Sequence, residues 1–93
     1  MVVGVLHVEL HLPMALSLKD KRSVLKSLTD QLHNRFNIAV AQVDPNEKWQ
    51  RASLGIVTLS HARGEVEGLL QRVVEWMRGN RSIALIRVER ELF

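Results

Sequence analysis

His7, Glu9 and His11 occupy alternate positions in one apolar stretch near the start of the chain. A carboxylate between two imidazoles can in principle hold a metal ion or move a proton. On an extended strand such residues share a face and stand about 6.8 Å apart, so two of them could converge on an ion only with help from a neighbouring strand. The chain has no cysteine and no helical histidine pair to complete a ligand set. The strip therefore reads as a polar or interface-forming strand face, with no metal and no cofactor expected. The second candidate is Ser17-Leu18-Lys19-Asp20-Lys21-Arg22-Ser23, which has the chemistry of a first helical turn yet carries three cations. A helix N-terminus favours acids by about 0.3–1 kcal/mol each. Lys19, Lys21 and Arg22 thus sit where the helix alone disfavours them, and an anionic partner would explain them. With Lys26 and Arg51 they form the candidate anion- or RNA-phosphate-binding set. A solvated helix face, relieved by Asp20, Asp30 or the acidic tail, would explain them equally.

At 93 residues the chain is one domain, residues 1–93, with a thin core. A hydrophobic content of 46% suits a folded protein, and the net charge of +3 permits a nucleic-acid partner without requiring one. The absence of cysteine fits a reducing compartment. The N-terminus lacks a basic region and meets His7 and Glu9 too early for a signal peptide, and no apolar run approaches the roughly 20 residues of a membrane span. A cytoplasmic protein with no membrane partner is expected.

These candidates must be carried by regular elements. Val2 to Leu12 alternates, with Val2, Leu6, Val8, Leu10 and Leu12 on one side and Val3, Val5, His7, Glu9 and His11 on the other, as in a strand with one buried face. Ser17 reads as an N-cap with Asp20 at the third helical position. Val24, Leu25, Leu28, Leu32 and Phe36 recur at helical spacing as far as Asn37, which can take a left-handed cap. Ile38–Val43 reads as a second strand, Asp44-Pro45-Asn46 as a turn, and Trp49–Leu59 as a third strand. Ser60 is placed to cap a second helix with the stripe Val66, Leu69, Leu70, Val73 and Met77, stopped by Gly79-Asn80. Gly64 and Gly68 lie four apart on that helix, from chance composition or from close approach of another backbone. Ile83–Val88 is the fourth strand, which the tail could extend. The order βαββαβ with right-handed crossovers implies an α+β, ferredoxin-like fold, a four-stranded antiparallel sheet with two helices on one face.

One sheet face is then open. With Ala84, Ile86 and Val88 toward the helices, Ile83 and Leu85 would join Val3 and Val5 in an exposed apolar patch beside a charged strip. A contiguous patch of this kind marks an interface, most simply that of a homodimer. Trp49 reads as a packing anchor at the start of a strand, with an interface role as the alternative. Nothing in the sequence resembles a nucleophile elbow or a Gly-rich phosphate loop. Acylphosphatases share the fold but use a Gly-rich loop and an Arg after strand 1, where this chain has Pro13-Met14-Ala15-Leu16. Base stacking on the sheet is also disfavoured: there is no tyrosine, and the few aromatic residues avoid the sheet centre. Phosphate contact from a basic surface remains, which positions a protein on RNA without reading sequence, and a DNA sequence reader is not expected.

Ser17-Leu18-Lys19-Asp20-Lys21-Arg22, Arg35-Phe36-Asn37 and Trp49-Gln50-Arg51-Ala52 together resemble the YlxP-like family of small bacterial proteins, over essentially the whole chain. Gln42 stands where that family suggests an acid. The resemblance implies a ferredoxin-like fold and a domain of unknown function, with members encoded beside transcription and translation factors, including a ribosome-binding factor. It implies no catalytic residues. The expectation is a non-enzymatic accessory protein that contacts RNA or ribonucleoprotein through its basic helix start, with Trp49 and Arg51 alongside. A dimeric small-ligand or anion-sensing module is the first alternative, and a hydrolase-like enzyme at the His7/Glu9/His11 strip the second. Steep salt dependence would separate RNA from a small ligand, and metal analysis would test the enzyme.

Overall fold

The computed structural model describes residues 1–44 and 47–93; Pro45 and Asn46, and with them part of the expected Asp44-Pro45-Asn46 turn, lie outside the described residues. Val2–His11 forms β1, Leu18–Arg35 α1, Ala39–Gln42 β2, Arg51–Ser60 β3, Arg63–Arg78 α2 and Ala84–Leu92 β4. The strands pair antiparallel in the order β2-β3-β1-β4. The alternation in β1 has the expected effect: Leu6, Val8, Leu10 and Leu12 have 0% exposure. Across the ladder Leu6 pairs with Ile56, Val8 with Leu54 and Leu10 with Ala52, so β3 points the same way. Leu25, Leu28 and Leu32 of α1 and Val66, Leu70, Val73 and Met77 of α2 join these residues in a single core. Both helices therefore lie on one side of the sheet, and the fold is ferredoxin-like, as expected.

Four local expectations are corrected. The first concerns β4. Glu9 pairs with Arg87 but Leu10 with Leu85, so Ile86 is an extra residue, a β-bulge. A single inserted residue reverses the side-chain alternation. Ile83, at 6% exposure, and Leu85 therefore pack toward the helices, while Ala84 and Ile86 point outward. Ile83 and Leu85 are thus removed from the expected interface. Beyond the bulge Val88 and Leu92 face the core again, and the tail does extend the strand. Secondly, α1 ends without a left-handed residue: Phe36 is extended at φ −134°, and no described residue has positive φ. Thirdly, Ser60 ends β3, and the cap position of α2 falls on Ala62, which offers no side-chain acceptor. The Ser60 hydroxyl accepts from the Ala62 N–H at 3.4 Å and donates to the Glu65 carboxylate. Fourthly, β2 spans only Ala39–Gln42, and β3 starts at Arg51, leaving Trp49 before the strand.

Gly4 fixes how closely α2 approaches the sheet. A Cβ at Gly4 would strike Val66 Cγ1 and lie 2.8 Å from Leu70 Cδ1, both side chains of the buried stripe of α2. By contrast, a Cβ at Gly68 would meet only the mobile end of Arg72, at 3.4 Å, and one at Gly64 nothing within 4 Å. Close approach therefore accounts for Gly4 and not for the two helical glycines. Gly4→Ala should destabilise the fold by about 1–3 kcal/mol through overpacking. Gly68→Ala should stabilise it by up to about 1 kcal/mol through helix propensity. Urea unfolding of both variants checks the opposite signs.

Candidate nucleic-acid interface

The start of α1 is built by reciprocal capping. Ser17 Oγ accepts from the Asp20 N–H at 3.0 Å, and the Asp20 carboxylate accepts from the Leu16 N–H at 3.0 Å. Asp20 thus supplies the acid that the helix dipole favours, and the neighbouring cations divide into different roles. Lys19 and Arg22 project into solvent. Lys26 does so too but pairs with Asp30 at 3.0 Å, an exposed i,i+4 contact worth about 0.3–0.5 kcal/mol.

Lys21 is different. Its residue is 3% exposed, and Nζ donates to the Lys48 carbonyl at 2.8 Å. Burial pulls its ammonium below the ordinary lysine range, with Asp44 pulling in the opposite direction. The expectation that Lys21 contacts phosphate is therefore corrected: it ties the first turn of α1 to the segment between β2 and β3. Its position is legible in hindsight. Lys21, Leu25, Leu28 and Leu32 form one buried stripe at helical spacing, and continuing the leucine pattern back one turn would have found it.

Gln50, quoted above only as part of a motif, is the second tie. Its Nε2 donates to the Pro13 carbonyl at 3.3 Å and the Ala15 carbonyl at 3.1 Å, while its own carbonyl accepts from the Leu12 N–H at 3.0 Å. The same carbonyl lies 3.2 Å from His11 Nδ1. Two motifs distant in sequence, Ser17–Arg22 and Trp49–Ala52, thus meet at one end of the molecule. Between them Trp49 is 53% exposed. The packing-anchor reading is corrected, because Gln50 does the anchoring and leaves the indole outside. Arg51 pairs with His11 across β3 and β1, on the opposite face of the sheet from the helices. It therefore does not join Lys19 and Arg22 in one surface. Arg35 and Phe36, from the third quoted segment, pack instead at the far end of α1: the Arg35 guanidinium lies 5.5 Å from the Trp76 ring, and Phe36 sits against the core.

On the open sheet face His7 stands beside Glu89, Glu9 beside Arg87, and His11 beside Arg51. Arg87 and Glu89 form an ion pair at 2.8 Å. The strip alternates charges across strands, and among the described residues no three His, Asp or Glu side chains come together to hold a metal ion.

The family model described as a protein of unknown function (DUF503) matches residues 3–90. The chain belongs to this family. Over 61 residues, 66% of this chain and 66% of the relative, it is 39% identical to the uncharacterized protein YlxP of Bacillus subtilis (strain 168). The DUF503 match includes both tied segments and the resemblance expected from them, and it assigns no activity. No helix among the described residues is long and apolar enough to cross a membrane.

If Lys21 is a tie, Lys21→Ala should cost about 1–3 kcal/mol, because the Lys48 carbonyl loses a buried donor. Lys19→Ala and Arg22→Ala should each stay within about 0.5 kcal/mol of wild type, as surface changes do. Chemical denaturation of the three variants checks the contrast; equal effects would contradict it.

Proposed function

We propose that this DUF503 protein is a non-enzymatic cytoplasmic accessory protein that contacts single-stranded RNA or ribonucleoprotein through the start of α1. The observation that carries the reading is the 2.8 Å bond from Lys21 to the Lys48 carbonyl. It fastens the residue next to the exposed Trp49 against the turn that presents Lys19 and Arg22. Cations beside a solvent-facing aromatic ring suit an unpaired nucleic-acid strand, with phosphates on the cations and a base stacked on the ring. Such contacts position a strand without reading its sequence. The net charge of +3 favours the encounter.

The test is fluorescence anisotropy of labelled single-stranded ribosomal RNA fragments across a salt series. Wild-type binding should weaken with salt, and the logarithmic slope should shrink by about 0.7 for each phosphate contact removed in Lys19→Glu/Arg22→Glu. Trp49→Ala should lose about 1–3 kcal/mol of affinity with the slope unchanged. Absence of wild-type binding near physiological salt, or binding untouched by all three substitutions, would overturn the reading.

A further inference from the structure

We infer that the open face of the sheet is the contact surface for a second copy of this chain, packed face to face about a two-fold axis. The helices cover only one side of the sheet, and the tail that could have crossed the other side is instead part of β4. At one end of the open face Leu59, Val3 and Phe93 form a row across β3, β1 and the tail, with Phe93 and Val3 exchanging backbone hydrogen bonds at 2.8 and 2.9 Å. Leu59 is 60% and Phe93 70% exposed, and Val57 in the next row is 38% exposed. Val43 leans over Gly55 from the edge, where a Cβ would come within 2.9 Å of its Cγ1, and so widens the apolar area.

The other end of the face identifies the occupant. Glu9 and Glu89 stand among Arg51, Arg87 and the histidines, while Glu91 stands beside Val5 in the Val57 row. A polyanion would be repelled there as much as attracted, and the sheet centre offers no large aromatic ring on which bases could stack. A copy of the same surface lays each apolar row on itself and sets cations of the charged end against its acids rather than against a second polyanion. The order β2-β3-β1-β4 puts β3 and β1 at the centre. An axis running along the strands between them lays β3 on β1 of the partner, keeps Leu59 and Val57 over apolar rows, and brings Arg51 near Glu9 of the partner subunit. The three long strands cover about 33 by 14 Å in projection, and the four-residue β2 adds a strip about 13 Å long. With surface relief counted, that comes to about 600 Å² per partner, the low end of specific interfaces. The start of α1 stays on the outside, so this contact stands or falls independently of the RNA reading.

Sedimentation equilibrium in the micromolar range provides the test. Wild type should sediment at twice the chain mass, and Leu59→Lys and Phe93→Lys each as monomers. Met14→Lys, at a residue 72% exposed on the loop after β1, should remain dimeric. Arg51→Glu should weaken the dimer at least tenfold and Arg51→Glu/Glu9→Arg should restore it, which guards against a substitution that merely disturbs folding. A monomeric wild type, or a dimer that survives both apolar substitutions, would overturn the inference.

Discussion

Everything in this molecule is arranged around β1. It is hydrogen-bonded on both sides, to β3 and to β4, and its inward residues Leu6, Val8 and Leu10 are wholly removed from water. Each such side chain contributes about 1.5–3 kcal/mol of burial free energy, which matters in a chain too short for a deep core. The two helices can reach that row only if the strand lets them approach. Gly4 provides the space under Val66 and Leu70 of α2, while α1 meets the sheet through its own stripe of Leu25, Leu28 and Leu32. One consequence is one-sidedness. All the apolar reach of both helices goes to the same face, so the second face of β1 is left to whatever the outward residues can do.

How much of this was legible depends on whether a residue type and its spacing agree. In β1 they do: alternation is nearly unbroken, and the buried and outward rows follow from it directly. In β4 they conflict. Ile83-Ala84-Leu85-Ile86 is apolar at every position, so either parity looks acceptable, and the bulge at Ile86 that reverses the faces midway has no local signature. Lys21 misleads in the opposite way. Its spacing places it on the buried stripe while its charge argues for solvent, and spacing prevails because the long aliphatic stem can be buried while the ammonium finds a carbonyl. At Trp49 a large aromatic residue at a strand start suggests an anchor, yet the indole stays exposed. The anchoring falls to Gln50, whose amide bonds two carbonyls of a different loop. Contacts between segments more than 25 residues apart, like those of Lys21 and Gln50, are not encoded in local pattern at all.

The cations at the start of α1 can be weighed in the same terms. Positive charge in a first turn is unfavourable for the helix dipole, and Asp20 offsets part of that while closing the cap. Lys21 has a structural reason to be there, since it joins two segments. Lys19 and Arg22 have none within the described fold: they face water. Of the five cations expected to meet a polyanion, Lys19 and Arg22 are the two that face water here without an ion-pair partner among the described residues, and the exposed Trp49 indole stands on the neighbouring segment.

The two outward surfaces differ in the kind of charge they carry, and this difference gives each a distinct physical character. At the start of α1, Lys19 and Arg22 are exposed cations outside any ion pair among the described residues, and such charge acts at a distance, steers an oppositely charged partner and is screened over about 10 Å at moderate salt. On the open sheet face Glu9, Glu89 and Glu91 alternate with Arg51 and Arg87, so the field cancels beyond a few ångströms and only close, registered contact gains from it. Beside that strip lies apolar area, whose burial strengthens with concentrated salting-out ions. Salt should therefore act on the two surfaces differently: it should weaken a nucleic acid's hold on the helix start more than the proposed sheet-to-sheet contact.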